Sequence, residues 1–126
     1  MTLAESLNKE MVSFGYTQYR SLVRVTNNGK IYTNEENKSL GVALPTDMAI
    51  HQGLATITCN RNPAIVWDLE ASKVTWRAWR GKRELDVEVY DRRVDQIDAN
   101  TFAVATAFNE VKIFDTRTKG PATSSI

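Results

Sequence analysis

Asn62-Pro63-Ala64-Ile65-Val66-Trp67-Asp68-Leu69 is answered 47 positions later by Asn109-Glu110-Val111-Lys112-Ile113-Phe114-Asp115-Thr116. In both, an asparagine-led turn opens into a short apolar run that ends on an aromatic residue followed by an aspartate. The register extends backwards without a gap, Thr56-Ile57-Thr58-Cys59 falling on Ala103-Val104-Ala105-Thr106 and Met48-Ala49-Ile50 on Asp95-Gln96-Ile97. A weaker copy upstream, Leu22 to Thr33, aligns Tyr32 with Trp67 and Phe114 at a first spacing of 35.

Self-similarity at such a period means a stack of like units. Spacings of 35 and 47 bracket the roughly 40–45 residues of a WD-type propeller blade. The chain of 126 residues holds about three such blades, whereas a closed ring takes about 4–8. The expectation is an all-β fold: about three four-stranded blades of a WD-repeat β-propeller, partial or open. The missing blades would come from the same or another chain. Terminal blades expose a packing face to water, so residues 1–126 alone are expected to be oligomeric or aggregation-prone.

Turn chemistry divides the units. Residues 1–19 read as a short helix or loop leading into a strand. Ser21 to Thr26, the positive-φ turn formers Asn27-Asn28-Gly29, and Lys30 to Thr33 read as a β-hairpin. Asn34 to Ser39 is polar and turn-like. The first, partial blade with its lead-in is assigned to 1–40. Ala49-Ile50, Leu54 to Cys59, Ala64 to Leu69 and Val74 to Trp79 are the strands of a second blade over 41–80. Residues 81–93 are an inter-blade insertion that stretches the second spacing. Val94 to Asp98, Phe102 to Ala107 and Val111 to Asp115 form a partial third blade over 94–118, and 119–126 is a loose polar tail.

Hydrophobic content of 42% with 25% charged residues is that of an ordinary globular chain, and no apolar run approaches the length of a membrane span. No membrane partner is expected. A single cysteine, Cys59, excludes an internal disulfide and a multi-cysteine zinc site; its strand neighbours point to burial. A net charge of +1 provides no global field for nucleic acid, so such binding needs a local patch.

Little here suits catalysis. There is one histidine, no glycine-rich phosphate loop and no nucleophile beside a base. His51 reads as a turn residue, and an acid–base pairing of His51 with Asp68 is the weakest of the readings. The recurring Asp68 and Asp115 are expected to cap the turns after the third strands. No catalytic residue, metal, cofactor or small-molecule substrate is assigned. Trp67, Phe114, Trp76 and Tyr32 are expected to pack blade on blade. The segment Trp76-Arg77-Ala78-Trp79-Arg80-Gly81-Lys82-Arg83 interleaves aromatics with cations. Alternation places Trp76, Ala78 and Arg80 on one face and Arg77 and Trp79 on the other. Cations that meet phosphates beside planes that stack on unpaired bases suit RNA, so Trp79, Arg77, Arg80, Lys82 and Arg83, extended by Arg92 and Arg93, are the candidate RNA or partner contacts. The plainer reading pairs these cations with Glu84, Asp86, Glu88 and Asp91.

Around this insertion the chain resembles the nucleolar WD-repeat assembly factors of the large ribosomal subunit. The resemblance lies in Val66-Trp67-Asp68-Leu69-Glu70, Lys73-Val74-Thr75-Trp76-Arg77-Ala78, Leu85-Asp86-Val87, Val89-Tyr90-Asp91 and Val111 to Thr118 before Pro121. It covers about Val42 to Pro121. Where the family has Lys-Asn after the alanine, this chain has Trp79-Arg80. The resemblance implies a seven-bladed ring of which this chain spans about three blades. It implies a nucleolar or nuclear, non-enzymatic scaffold that binds proteins and rRNA on pre-60S particles, and an AAA-type ATPase partner. The alternative is a generic WD-repeat interaction domain of another intracellular complex.

Overall fold

The computed structural model describes residues 11–16, 22–26, 28–33, 36–41, 44–60, 62–78, 91–107, 109–118, 122 and 124–125. They form three four-stranded antiparallel sheets, each a simple meander, with no helix among them. Sheet 1 is β1 (Met11–Tyr16), β2 (Leu22–Thr26), β3 (Lys30–Thr33) and β4 (Glu36–Ser39). Sheet 2 is β5 (Pro45–His51), β6 (Leu54–Cys59), β7 (Ile65–Asp68) and β8 (Lys73–Arg77). Sheet 3 is β9 (Asp91–Gln96), β10 (Thr101–Thr106), β11 (Val111–Asp115) and β12 (Ser124–Ser125).

The hairpins follow from their turn residues. Gln52 and Gly53 both adopt positive φ, 48° and 79°, in the two-residue turn from β5 to β6, the geometry that matches the twist of paired strands. Gly29, at φ 84°, closes the β2–β3 turn with its N–H on the Thr26 carbonyl at 3.1 Å. After the third strands the aspartates do the capping: Asp68 Oδ1 accepts the N–H groups of Glu70 and Ala71, each at 3.0 Å, and Asp115 Oδ1 accepts that of Arg117 at 2.9 Å.

Several stretches differ from their sequence reading. Met11–Tyr16 is a strand rather than a helix or loop, and the polar Glu36–Ser39, read as a turn, pairs with β3. Both are recruited by a neighbour's open backbone edge, which local composition does not report. The tail supplies β12 against Lys112 and Ile113, which makes the third sheet four-stranded. β9 begins at Asp91, inside the stretch assigned to the insertion. The gapless backward register also fails by one position. Met48 pairs with Ile57, while Val94, not Asp95, pairs with the corresponding Val104. The turn Asp98-Ala99-Asn100 is one residue longer than Gln52-Gly53 and absorbs the difference.

The sheets stack face to face because each has two faces to remove from water. Val23, Val25, Ile31 and Leu40 of sheet 1 and its exit meet Ala55, Ile57, Cys59, Ile65 and Trp67 of sheet 2. On its other side, sheet 2 offers Ala64, Val66 and Ala78 to Phe102, Val104 and Phe114 of sheet 3. The first strands approach one another from sheet to sheet, β1 to β5 and β5 to β9. Polar links tie this inner line: Val94 N–H donates to Asp47 Oδ2 at 3.0 Å, and the Thr56 hydroxyl to Gln96 Oε1 at 3.0 Å.

The middle of the second interface is the centre of the energetics. Phe102 is completely buried and stacks on Phe114 at 5.3 Å between ring centres. Phe102→Ala is expected to cost about 3–5 kcal/mol, read as a lower urea midpoint, while Ile57→Val costs about 0.5–1.5 kcal/mol.

Candidate functional site

β8 begins as an ordinary outer strand and is then displaced. Val66 pairs with Trp76 but its neighbour Trp67 pairs with Val74, so Thr75 is a bulge, its hydroxyl donating to the Val66 carbonyl at 3.3 Å. One extra residue reverses the facing of everything beyond it. Val74 packs with the sheet 1–sheet 2 cluster, whereas Trp76, two positions on, packs with the sheet 2–sheet 3 cluster. Strict alternation would have placed both on one side.

Trp76 is thereby fixed on three sides. Its ring meets Phe102 edge-on at 5.6 Å and Phe114 at 6.0 Å, and its Nε1–H donates to the Thr118 carbonyl at 3.0 Å. It packs sheet on sheet and is not a free stacking plane. Trp67 is buried against sheet 1 and Phe114 against sheet 2. Tyr32, aligned with them, lies on the face of sheet 1 turned away from sheet 2, half-buried with the Arg24 guanidinium 4.3 Å above its ring.

Of the basic candidates, Arg77 is exposed at the end of β8, with Nη2 4.0 Å from where a side chain on Gly41 would begin. It therefore lies over the connection between sheets 1 and 2. Arg93 is exposed on β9, and Arg92 is described by its backbone alone. Trp79, Arg80, Lys82 and Arg83 lie outside the described residues, as do their proposed acidic partners Glu84, Asp86 and Glu88. Arg77 and Arg93 thus stand at the two ends of the segment that joins sheet 2 to sheet 3.

In a meander this segment leaves from the end that carries the β6–β7 and β10–β11 turns. Leu44, a residue that sequence reading passed over, is at that end too. It is 49% exposed and held at φ 59°, where a bulky side chain is strained, with its carbonyl accepting the Asn60 N–H at 2.9 Å. Its only sequence signal is the Pro45 that follows it.

The opposite end carries a charge cluster. Asp115 receives Arg117 Nη2 at 2.7 Å and Nε at 3.0 Å. This bidentate pairing, aided by the Arg117 backbone N–H, lowers the Asp115 carboxyl to about 2, and Arg117 is raised in return. Asp98 is also lowered, chiefly by the Asn100 N–H it accepts and then by Thr101. His51 and Asp68 share a cross-strand row, but Leu54 stands between them, pairing with both. Asp68 spends its Oδ1 on the turn. Cys59 is fully buried as a free thiol. Among the described residues no group of three or more His, Cys, Asp or Glu side chains is placed to hold a metal ion.

The chain matches no protein-family model and no curated protein. Among solved structures it is similar to the computationally designed Ika8 protein, with a TM-score of 0.73 at 9% identity over 92% of this chain. It is also similar to KlHsv2 with loop 6CD replaced by a Gly-Ser linker, with a TM-score of 0.60 at 12% identity over 93% of this chain. It spans 36% and 39% of the lengths of those two chains. At such identities the likeness concerns the fold: an all-β arrangement of three antiparallel sheets consistent with part of a propeller.

Two measurements check the site. Because the folded Asp115 carboxyl is depressed from 3.8 to about 2, its stabilising effect is complete above the unfolded value and is lost as pH falls through the folded one. Its side-chain carbon resonance is expected to titrate near 2 and to move upward in Arg117→Ala. Trp76→Phe, which keeps a ring but removes the donor to Thr118, is expected to cost about 0.5–1.5 kcal/mol by chemical denaturation.

Proposed function

We propose that this chain is three blades of a seven-bladed WD-repeat propeller. In this reading it acts without enzymatic activity as a docking platform for rRNA and proteins on large-subunit precursors in the nucleolus or nucleus. The contact surface is the stretch from Arg77 to Arg93, with Trp79, Arg80, Lys82, Arg83 and Arg92 between them.

The observation that carries the reading is the placement of one sequence run. Trp67-Asp68-Leu69-Glu70 closes the third strand of sheet 2 and its capped turn, and Trp76-Arg77-Ala78 follows across the bulge. The basic and aromatic remainder then falls between the outer strand of sheet 2 and the inner strand of sheet 3. Exposed Arg77 and Arg93 bracket it. The order and spacing of these residues in the sequence carry the resemblance to the large-subunit assembly factors, and the run suits a backbone-tracking contact in which cations meet phosphates and Trp79 stacks on an unpaired base. Trp76, committed to the sheet interface, anchors the stretch. An AAA-type ATPase that removes the factor from the particle is a partner under this reading.

Replacing Arg80, Lys82 and Arg83 together by glutamate tests it. Loss of co-sedimentation with pre-ribosomal fractions is expected. A plot of log affinity for single-stranded RNA against log salt is expected to flatten by about 2, from three contacts at roughly 0.7 each. Undiminished association would leave the segment a plain connection and make the chain a WD-repeat interaction domain of some other complex.

A further inference from the structure

Two isoleucines buried between sheets 1 and 2 each stand cross-strand from a cation. Ile31 pairs with Lys38 of β4, and Ile65 pairs with Arg77 of β8. Cross-strand partners share a face of their sheet, so Lys38 stands on the side of sheet 1 that meets sheet 2, and Arg77 on the side of sheet 2 that meets sheet 1. Both belong to the outermost strand of their sheet, beyond the apolar cluster, and both are exposed. Two positive charges therefore line one rim of the same interface from opposite walls.

The walls come close at Gly41. Arg77 Nη2 lies 4.0 Å from the point where a side chain on this glycine would begin, so the space before the guanidinium is kept by the lack of one. Lys38 precedes Gly41 by three residues, at most about 11 Å of chain. Between them, Ser39 Oγ accepts the Gly41 N–H at 3.2 Å, and its own hydroxyl proton is left to donate outward. Elsewhere the described cations meet carboxylates, Arg117 on Asp115 and Lys112 on Glu110. Among the described side chains no carboxylate pairs with Lys38 or Arg77. Like charges gathered at one rim repel, and the repulsion is relieved when an anion lies between them.

We infer that this rim is a phosphodiester site for single-stranded RNA, in which Arg77 and Lys38 meet the phosphate oxygens and the Ser39 hydroxyl donates to one of them. The inference rests on the RNA-binding reading and extends its surface from the connection after β8 back across the junction to sheet 1. Arg77 belongs to both parts, so a strand held along the connection passes over it onto Lys38 and Ser39. A guanidinium, an ammonium and a hydroxyl are the groups that hold a nucleic-acid backbone in place without reading its bases; the contact is therefore indifferent to sequence. The rim lies between two sheets of this chain and needs nothing from any further blade.

Lys38 lies outside the connecting segment, and so its replacement separates the two claims. The affinity of the full chain for a single-stranded RNA is measured over a salt series. Lys38→Gln and Lys38→Ala, at an exposed position on an outer strand, are each expected to keep the circular dichroism spectrum and to flatten the plot of log affinity against log salt by about 0.7, one phosphate contact. Lys38→Arg is expected to restore the slope, and two unrelated RNA sequences are expected to lose equally. A slope that both neutral variants leave unchanged, while glutamates at Arg80, Lys82 and Arg83 flatten it, overturns this inference alone. A slope that neither set changes overturns the RNA-binding reading with it. Flattening by the Lys38 variants but not by the three glutamates supports the rim and removes the connection. Loss of a protein partner from pre-ribosomal fractions in Lys38→Gln, with RNA affinity intact, assigns the rim to a carboxylate of that partner and overturns the phosphodiester site.

Discussion

Everything in this molecule depends on covering the two faces of a β-sheet. A four-stranded meander satisfies its interior backbone hydrogen bonds by itself, but it cannot bury its side chains by itself. Among the described residues, sheet 2 is the one sheet covered on both sides, and its alternation is correspondingly complete: Ala55, Ile57 and Cys59 go to one neighbour while Thr56 and Thr58 go to the other, all buried. Sheets 1 and 3 each settle one face against it.

The two interfaces settle the problem differently. Between sheets 1 and 2 the contact is dominated by branched aliphatics around Trp67, and apolar area removed from water does the work. Between sheets 2 and 3 three aromatic rings meet at offset and edge-on angles, and polar bonds fix their alignment at the inner strands. Aliphatic packing tolerates small displacements. The Trp76 indole, held by two rings and one carbonyl, does not, so the start of the connection to sheet 3 is positioned by the same residues that bury the interface.

Much of the architecture was legible in the repeat, because the aromatic–aspartate strand ends and the positive-φ turns recur where physics needs them. Tyr32, Trp67 and Phe114 mark the third strands, and Asp68 and Asp115 cap the turns that follow. What escaped reading has a common cause. Met11–Tyr16, Glu36–Ser39 and Ser124–Ser125 are strands made by a neighbour's edge, not by their own composition. The Thr75 bulge and the longer Asp98–Asn100 turn each shift the register by one residue, a change that period-two reasoning turns into an error of facing. The candidate site was legible only in part: Trp76 packs between sheets 2 and 3, where a packing residue was expected, and Arg77 and Arg93 are exposed, but Tyr32, expected to pack in the same way, lies on the face of sheet 1 turned away from sheet 2, and Leu44 gave no periodic signal at all.

The meander also has a consequence in time. Each strand pairs only with its sequence neighbours, so a sheet can form as soon as its own residues have left the ribosome, in order from the N-terminus. At about 5–20 residues per second, a unit of roughly 40 residues takes about 2–8 seconds to emerge. For that interval Val66 and Ala64 of sheet 2 are uncovered, awaiting Phe102 and Phe114, and the segment joining the two sheets lengthens the wait. The nascent chain therefore presents an apolar sheet face to solvent at a defined moment, and Thr56 and Thr58 on that same face lower its tendency to associate before its partner arrives.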